Sequence, residues 1–169
     1  MTEAAIFVVF PLCLAVAAFS DFFTMTIPNR VSVILLATFL VVAPFAGLGL
    51  PDIAQHLAAG AMVFAVCFAL FAINVMGGGD AKLLTASSVW FGLDPSLFAY
   101  LIYVTYCGGI LTLLLLVMRA KGDAILASGL PLPAHILAAK KVPYGIAIGA
   151  AAFMAYPASP LMQLAFAAF

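Results

Sequence analysis

The sequence predicts an all-helical, polytopic membrane protein. Three observations carry that prediction. Of the 169 residues, 67% are hydrophobic and 7% are charged, against about a quarter charged in a soluble domain. Mean hydropathy is +1.30. The apolar residues are also grouped into runs close to the ~20 residues that cross a bilayer as a helix, divided by Gly, Pro and charged positions. The length suits a single integral-membrane domain over 1–169 with no soluble domain.

Six runs follow in order. Residues 4–20 sit at the lower limit of a span. Glu3 is the only charge before them, so the basic flank of a signal peptide is missing. Ala15-Val16-Ala17 has the form of a cleavage site, yet five more apolar runs follow, and the segment reads as a retained helix. Residues 31–50 form the second run, with Pro44 expected to kink it. Residues 57–76 form the third. The fourth, 81–93, is short: at 1.5 Å per residue it reaches only about 20 Å, against a hydrocarbon core of about 30 Å. To span, it must begin near Gly77, which places Asp80 in its first turn, where a helix N-terminus favours a carboxylate. The fifth run, 97–118, carries Gly108-Gly109. The sixth begins at Tyr144 and is interrupted by Pro157 and Pro160, which leaves its ending open. The connection 120–143 is apolar in its middle (124–139) but broken by Gly129, Pro131 and Pro133. It reads as a connector lying on the membrane.

Orientation follows from the basic residues. With about six spans, Arg30 falls in the first connection and Lys82 in the third. Arg119, Lys121, Lys140 and Lys141 fall in the fifth. The opposite side carries Asp52, His56 and Asp94. The excess of Lys and Arg on one side makes that side cytoplasmic, with both termini outside. Asp21 and Asp80 then share the cytoplasmic face of the membrane. Zero net charge offers no basic field for nucleic acid.

Those two acids are the chemistry-bearing candidates. A carboxylate at a membrane boundary is costly and therefore a functional candidate. Gly77, Gly78 and Gly79 precede Asp80 and let another backbone approach it. Two carboxylates sharing one proton can activate water and protonate a carbonyl, as aspartyl proteolysis requires. Asp52 and Asp94 stand beside Pro51 and Pro95 and read as turn residues on the other face. Asp123 reads as solvated and Glu3 is terminal. Lys82 reads as a partner of lipid headgroups or of a carboxylate. The glycines do not have phosphate-loop spacing. Gly145 and Gly149 form a GxxxG step that implies close helix packing. His56 and His135 are isolated and read as non-catalytic. Cys13, Cys67 and Cys107 form no CxxC pair and read as buried apolar residues. No cofactor and no metal site is expected.

The residues resemble a known family. Gly77-Gly78-Gly79-Asp80-Ala81-Lys82-Leu83-Leu84, followed by Ala86, Trp90 and Gly92, is similar to the GxGD segment of type IV prepilin peptidases. Ser20-Asp21 with Ile27-Pro28-Asn29 resembles their first aspartate segment, and Pro143-Tyr144-Gly145-Ile146-Ala147-Ile148 resembles a C-terminal stretch of the same enzymes. The resemblance implies a membrane aspartyl endopeptidase that removes the short leader of prepilins or pseudopilins at the cytoplasmic face of the bacterial inner membrane. Asp21 and Asp80 match the catalytic pair, and Gly77, Gly78, Gly79, Lys82, Pro28, Asn29, Pro143 and Gly145 match its surroundings. The long members carry a region with two CxxC pairs and also methylate the new N-terminus. This chain looks like the short form associated with Flp-type, tight-adherence pili, and leader cleavage without methylation is expected. Two alternatives remain: a presenilin-like protease cutting within a transmembrane helix, which shares GxGD, and a small proton or cation transporter using Asp21 and Asp80.

Overall fold

The computed structural model describes residues 2–121 and 142–167, and within them the chain is helical, with no strand. The helices are α1 (Thr2–Thr24), α2 (Asn29–Phe45), α3 (Leu50–Ala72), α4 (Gly78–Ser88), α5 (Pro95–Ala120), α6 (Tyr144–Ala155) and α7 (Pro160–Ala167). A single 3-10 turn, Tyr156–Ala158, joins the last two. Helices α1, α3 and α5 are long and apolar enough to cross a membrane. The α6–α7 pair, bent by 48°, makes a fourth candidate if counted as one span. Helix α2 is apolar but has 17 residues, and α4 has 11, about 16 Å of helix.

Helix boundaries differ from the sequence expectation for identifiable reasons. Pro44 does not kink a long second span. It lies in the last turn of α2, and the helix stops because Gly47 adopts φ +88°. There Gly47 N–H donates to Pro44 O and Leu48 N–H to Ala43 O, the paired bonds of a Schellman ending. Helix α3 consequently starts at Leu50, seven residues earlier than expected, with Pro51 in its first turn and the Asp52 carboxylate accepting Gly49 N–H at 3.1 Å. Asp94 likewise caps α5, accepting Ser96 N–H at 2.9 Å. Both acids are therefore helix-start residues and not simple turn residues. Helix α3 ends as α2 does: Asn74, at φ 58°, donates to Phe71 O, and Val75 N–H donates to Leu70 O. The fourth helix starts at Gly78 with Asp80 in its first turn, as expected, but it ends at Ser88 and at 11 residues does not reach the length of a span. Residues 122–141, including Asp123, His135, Lys140, Lys141 and the stretch 124–139, lie outside the described residues.

The surface is apolar. Val8, Leu12, Val16, Phe19 and Phe23 line the outer side of α1, and Leu113, Leu114, Leu116 and Val117 that of α5. Exposed apolar area on this scale suits lipid contact. Inside, Phe10, Trp90, Phe91 and Tyr156 form an aromatic cluster, with Phe10 and Trp90 rings 5.1 Å apart and Phe10 stacked on Tyr156 at 4.0 Å. Its polar edges are satisfied: Trp90 Nε1 donates to Leu35 O at 3.1 Å and Tyr156 Oη to Ile6 O at 3.0 Å. His56 is buried, with Nδ1 2.7 Å from Val89 O, and acts as a packing residue at this end. Cys13 and Cys67 are buried as small apolar side chains. Gly149 lets α6 approach α1, since a Cβ there would stand 3.3 Å from both Ala18 Cβ and Leu14 O. The GxxxG step is thus a packing device, as expected.

Candidate active site

The aromatic contact fixes the level of both acids. Asp21 lies eleven residues beyond Phe10 on α1, about 16 Å along the helix, and Asp80 lies ten residues before Trp90, about 15 Å. With the two helices running in opposite directions from that contact, the acids meet at the same end of the bundle. Asp21 also continues the buried stripe of α1, Ile6, Phe10, Leu14 and Ala17, at helical spacing. Packing of α1 therefore aims the carboxylate inward, where it is only 5% exposed. Asp80 is half-buried.

Both acids line one cavity of about 270 Å³. Its walls include Gly77, Gly78 and Gly79, Met25, Thr26 and Ile27 of the α1–α2 connection, and Asn29 at the start of α2. The space admits water, which takes up about 30 Å³ in the liquid, beside a polypeptide backbone. Each acid sits at a helix N-terminus. Gly145 is the second residue of α6, and its N–H, which has no partner inside the helix, donates to Asp21 Oδ2 at 2.7 Å. Asp80 is the third residue of α4. The positive end of a helix stabilises a carboxylate in both places and offsets part of the cost of holding charge away from bulk water.

The glycines are required by contact. A Cβ at Gly77 would stand 2.7 Å from Asp80 Oδ2. At Gly79 it would stand 3.3 Å from Ile27 Cβ, and at Gly145 2.9 Å from Asp21 Oδ2 and 3.0 Å from Ile27 Cδ1. Ile27 is thus a wedge between the starts of α4 and α6, the helix whose Gly145 holds Asp21. A Cβ at Gly78 would stand 3.2 Å from the Phe71 ring. Lys82 Nζ donates to Asn29 Oδ1 at 3.0 Å. It ties α4 to the start of α2 at the rim of the site, whereas the sequence suggested lipid headgroups or a carboxylate. Pro28 and Pro143 are the residues just before α2 and α6. The extended conformation at Pro28 and the fixed φ of proline set the two helix starts that frame the cavity.

Ser20 and Tyr144 enter the sequence reading only as motif members, and their contacts, along with Thr24 and Thr26, escaped it. Ser20 Oγ donates to Thr26 O at 2.8 Å, Thr24 Oγ1 to Ser20 O at 2.7 Å, and the Thr24 and Thr26 hydroxyls meet at 2.7 Å. These bonds fold the connection back over the end of α1 and hold Met25 at φ 53°. The cluster of hydroxyls at 20, 24 and 26 is the available signal, because Ser and Thr compete for backbone groups at helix ends. Tyr144 lies against Gly108 of α5, where an added Cβ would collide with the phenol. Asp52 and Asp94 are at the other end of the bundle, on the helix starts near His56.

Comparison with known protein families gives a match to the model described as the type IV leader peptidase family over residues 8–113, well over half of the chain. Comparison with curated proteins and with solved structures gives no match. The matched segment contains Asp21, the α1–α2 connection, the glycine run, Asp80 and most of α5. A leader peptidase of this kind is a membrane protease, in keeping with the helices described above. The chain belongs to the type IV leader peptidase family.

Proposed function

We propose that this protein is an aspartyl endopeptidase that removes the leader of Flp-like prepilins at the cytoplasmic face of the inner membrane, with Asp21 and Asp80 as the catalytic pair. The observation that carries the reading is the placement of these two acids, from α1 and α4, on one cavity. One carboxylate, ionised, takes a proton from water as the water oxygen attacks the scissile carbonyl. The other, protonated, gives its proton to the carbonyl oxygen. The tetrahedral intermediate collapses with cleavage of the C–N bond. The nitrogen takes up a proton, leaving the leader with a new carboxyl group and the pilin with a new amine.

The cytoplasmic placement rests on Arg30, Lys82, Arg119 and Lys121, all at the end of the bundle that holds the acids, while Asp52 and Asp94 mark the other end. Six membrane-embedded segments with both termini outside fit this charge pattern, α2 and α4 being the short ones. The chain has no CxxC pair, so the reading covers cleavage and not methyl transfer. Co-expression with a Flp-like prepilin and intact mass of the pilin tests the proposal. Loss of the leader, without an added methyl group, is expected. A pilin that keeps its leader across the candidate substrates would overturn it.

A further inference from the structure

A second cavity, about 660 Å³, adjoins the first and shares Gly77, Gly78, Asp80 and Val142 with it. Its character is different. Leu70, Phe71 and Val75 at the end of α3 form one wall, and Thr112 of α5 and Tyr144 of α6 the other. Helix α3 packs on α4 and α5 packs on α6, with no substantial contact between α3 and α5. The gap between them opens sideways among outward apolar residues: Phe71 is 47% and Val75 69% exposed. Thr112 lies nine residues before Lys121, so the gap descends roughly 13 Å along α5 from its charged end.

We propose that this cleft receives the first apolar turn of the substrate on the carboxyl side of the cut bond, while the leader lies in the smaller cavity. The assignment rests on the leader-peptidase reading above. Four observations favour it. The cleft meets the first cavity at Asp80, so a chain crossing from one to the other passes an acid. The smaller cavity offers glycine backbone, Thr26, Asn29 and both acids beside Met25 and Ile27, which suits a polar segment, and the larger adds the apolar Leu70, Phe71, Val75 and Met76 to a few polar groups such as Asn74 and Thr112. One helical turn, a cylinder about 10–12 Å wide and 5.4 Å high, fills roughly 400–600 Å³, close to the cleft volume. Among the described residues the cleft is also open on its lipid-facing side, where a pilin helix already resides. Tyr144, seated against Gly108, and Thr112, whose hydroxyl donates to Gly108 O at 2.7 Å, form its deeper wall and limit what enters.

Disulfide cross-linking in membranes tests the assignment. The chain carries Asp21→Asn to hold substrate uncleaved and has its native cysteines replaced by alanine. One cysteine is introduced, as Val75→Cys or Thr112→Cys, or as Val33→Cys on the outer side of α2 as the control. The probe is a Flp-like prepilin with single cysteines at the first six positions after the leader junction. Cross-links at Val75→Cys and Thr112→Cys, recurring at helical spacing along the probe and missing at Val33→Cys, are expected. Cross-linking at Val33→Cys alone, or only to a second copy of the chain, would overturn the assignment. In parallel, Thr112→Trp in the otherwise unaltered protein should raise KM for the prepilin at least tenfold with kcat within about threefold. An unchanged KM, or a fall confined to kcat, contradicts it. If the unaltered protein leaves the same prepilin uncut, the leader-peptidase reading fails first and the cleft assignment falls with it. Cleavage without the expected cross-links sinks the cleft assignment alone.

Discussion

Individual atoms around Asp21 decide whether the site can work. Gly145 both donates to the carboxylate and leaves it room, so Gly145→Ala should displace Asp21 or Ile27, which a Cβ would meet at 2.9–3.0 Å. We expect processing to fall at least tenfold while the protein elutes as a folded species in detergent. Gly109→Ala is the matched control: a Cβ there meets nothing within 4 Å. Because alanine is favoured over glycine inside a helix by about 1 kcal/mol, that variant should keep its activity and unfold at equal or higher temperature. Equal losses in both variants would contradict the role given to Gly145. The sequence made Asp21 and Asp80 legible as acids at the ends of apolar runs. The N–H of Gly145 was not legible as a donor, since every residue but proline has one and only the start of α6 leaves this one unused.

Helix ends, more than helix interiors, build the site. Two helices stop in left-handed residues, Gly47 and Asn74, and both stops set where the next helix begins. Gly47→Ala should destabilise the protein by about 1–2 kcal/mol, the cost of an L-residue in that conformation, read as a lower unfolding midpoint in detergent. Asn74→Gly should be neutral or slightly stabilising. The early stop at Gly47 was hidden because residues 31–50 are apolar throughout, and hydropathy does not see backbone conformation. The start of α4 near Gly78 was expected from the length a span needs, yet α4 stops at Ser88, so the glycines begin the helix without making it long enough to cross. Two helix N-termini facing one pair of acids also shape the pH response. At acid pH both carboxylates are protonated and none can take a proton from water. In alkali both are ionised and none can protonate the carbonyl. Cleavage should therefore show two limbs belonging to the pair, and a rate that stays flat into strong alkali would speak against a shared proton.

Among the described residues, many apolar side chains face outward, aromatic residues fill one end of the interior, and Asp21 and Asp80 share the other. The charge pattern that orients this arrangement is testable by labelling. With a membrane-impermeant maleimide, Ala54→Cys near the start of α3 should react in intact cells, and Lys82→Cys only after the membrane is permeabilised. The reverse pattern would put the acids outside. The all-helical membrane character and the common end of the two acids were readable from hydropathy and charge because the bilayer imposes both. Among the described residues, however, three helices are long enough to cross, or four with the bent α6–α7 pair, and not six. The depth of the α3–α5 cleft was not, because it depends on which helices fail to pack. The central claim is that Asp21 and Asp80 act together on a prepilin. The most direct measurement is leader removal, scored by intact mass, for Asp21→Asn, Asp80→Asn and the double variant, with Asp123→Asn alongside and each protein checked for folding in detergent. Groups that act as a unit fail together. The account predicts that either single change abolishes processing, that the double variant is no worse, and that Asp123→Asn stays active. Processing that survives in either folded single variant, or that is lost equally at Asp123, would contradict it.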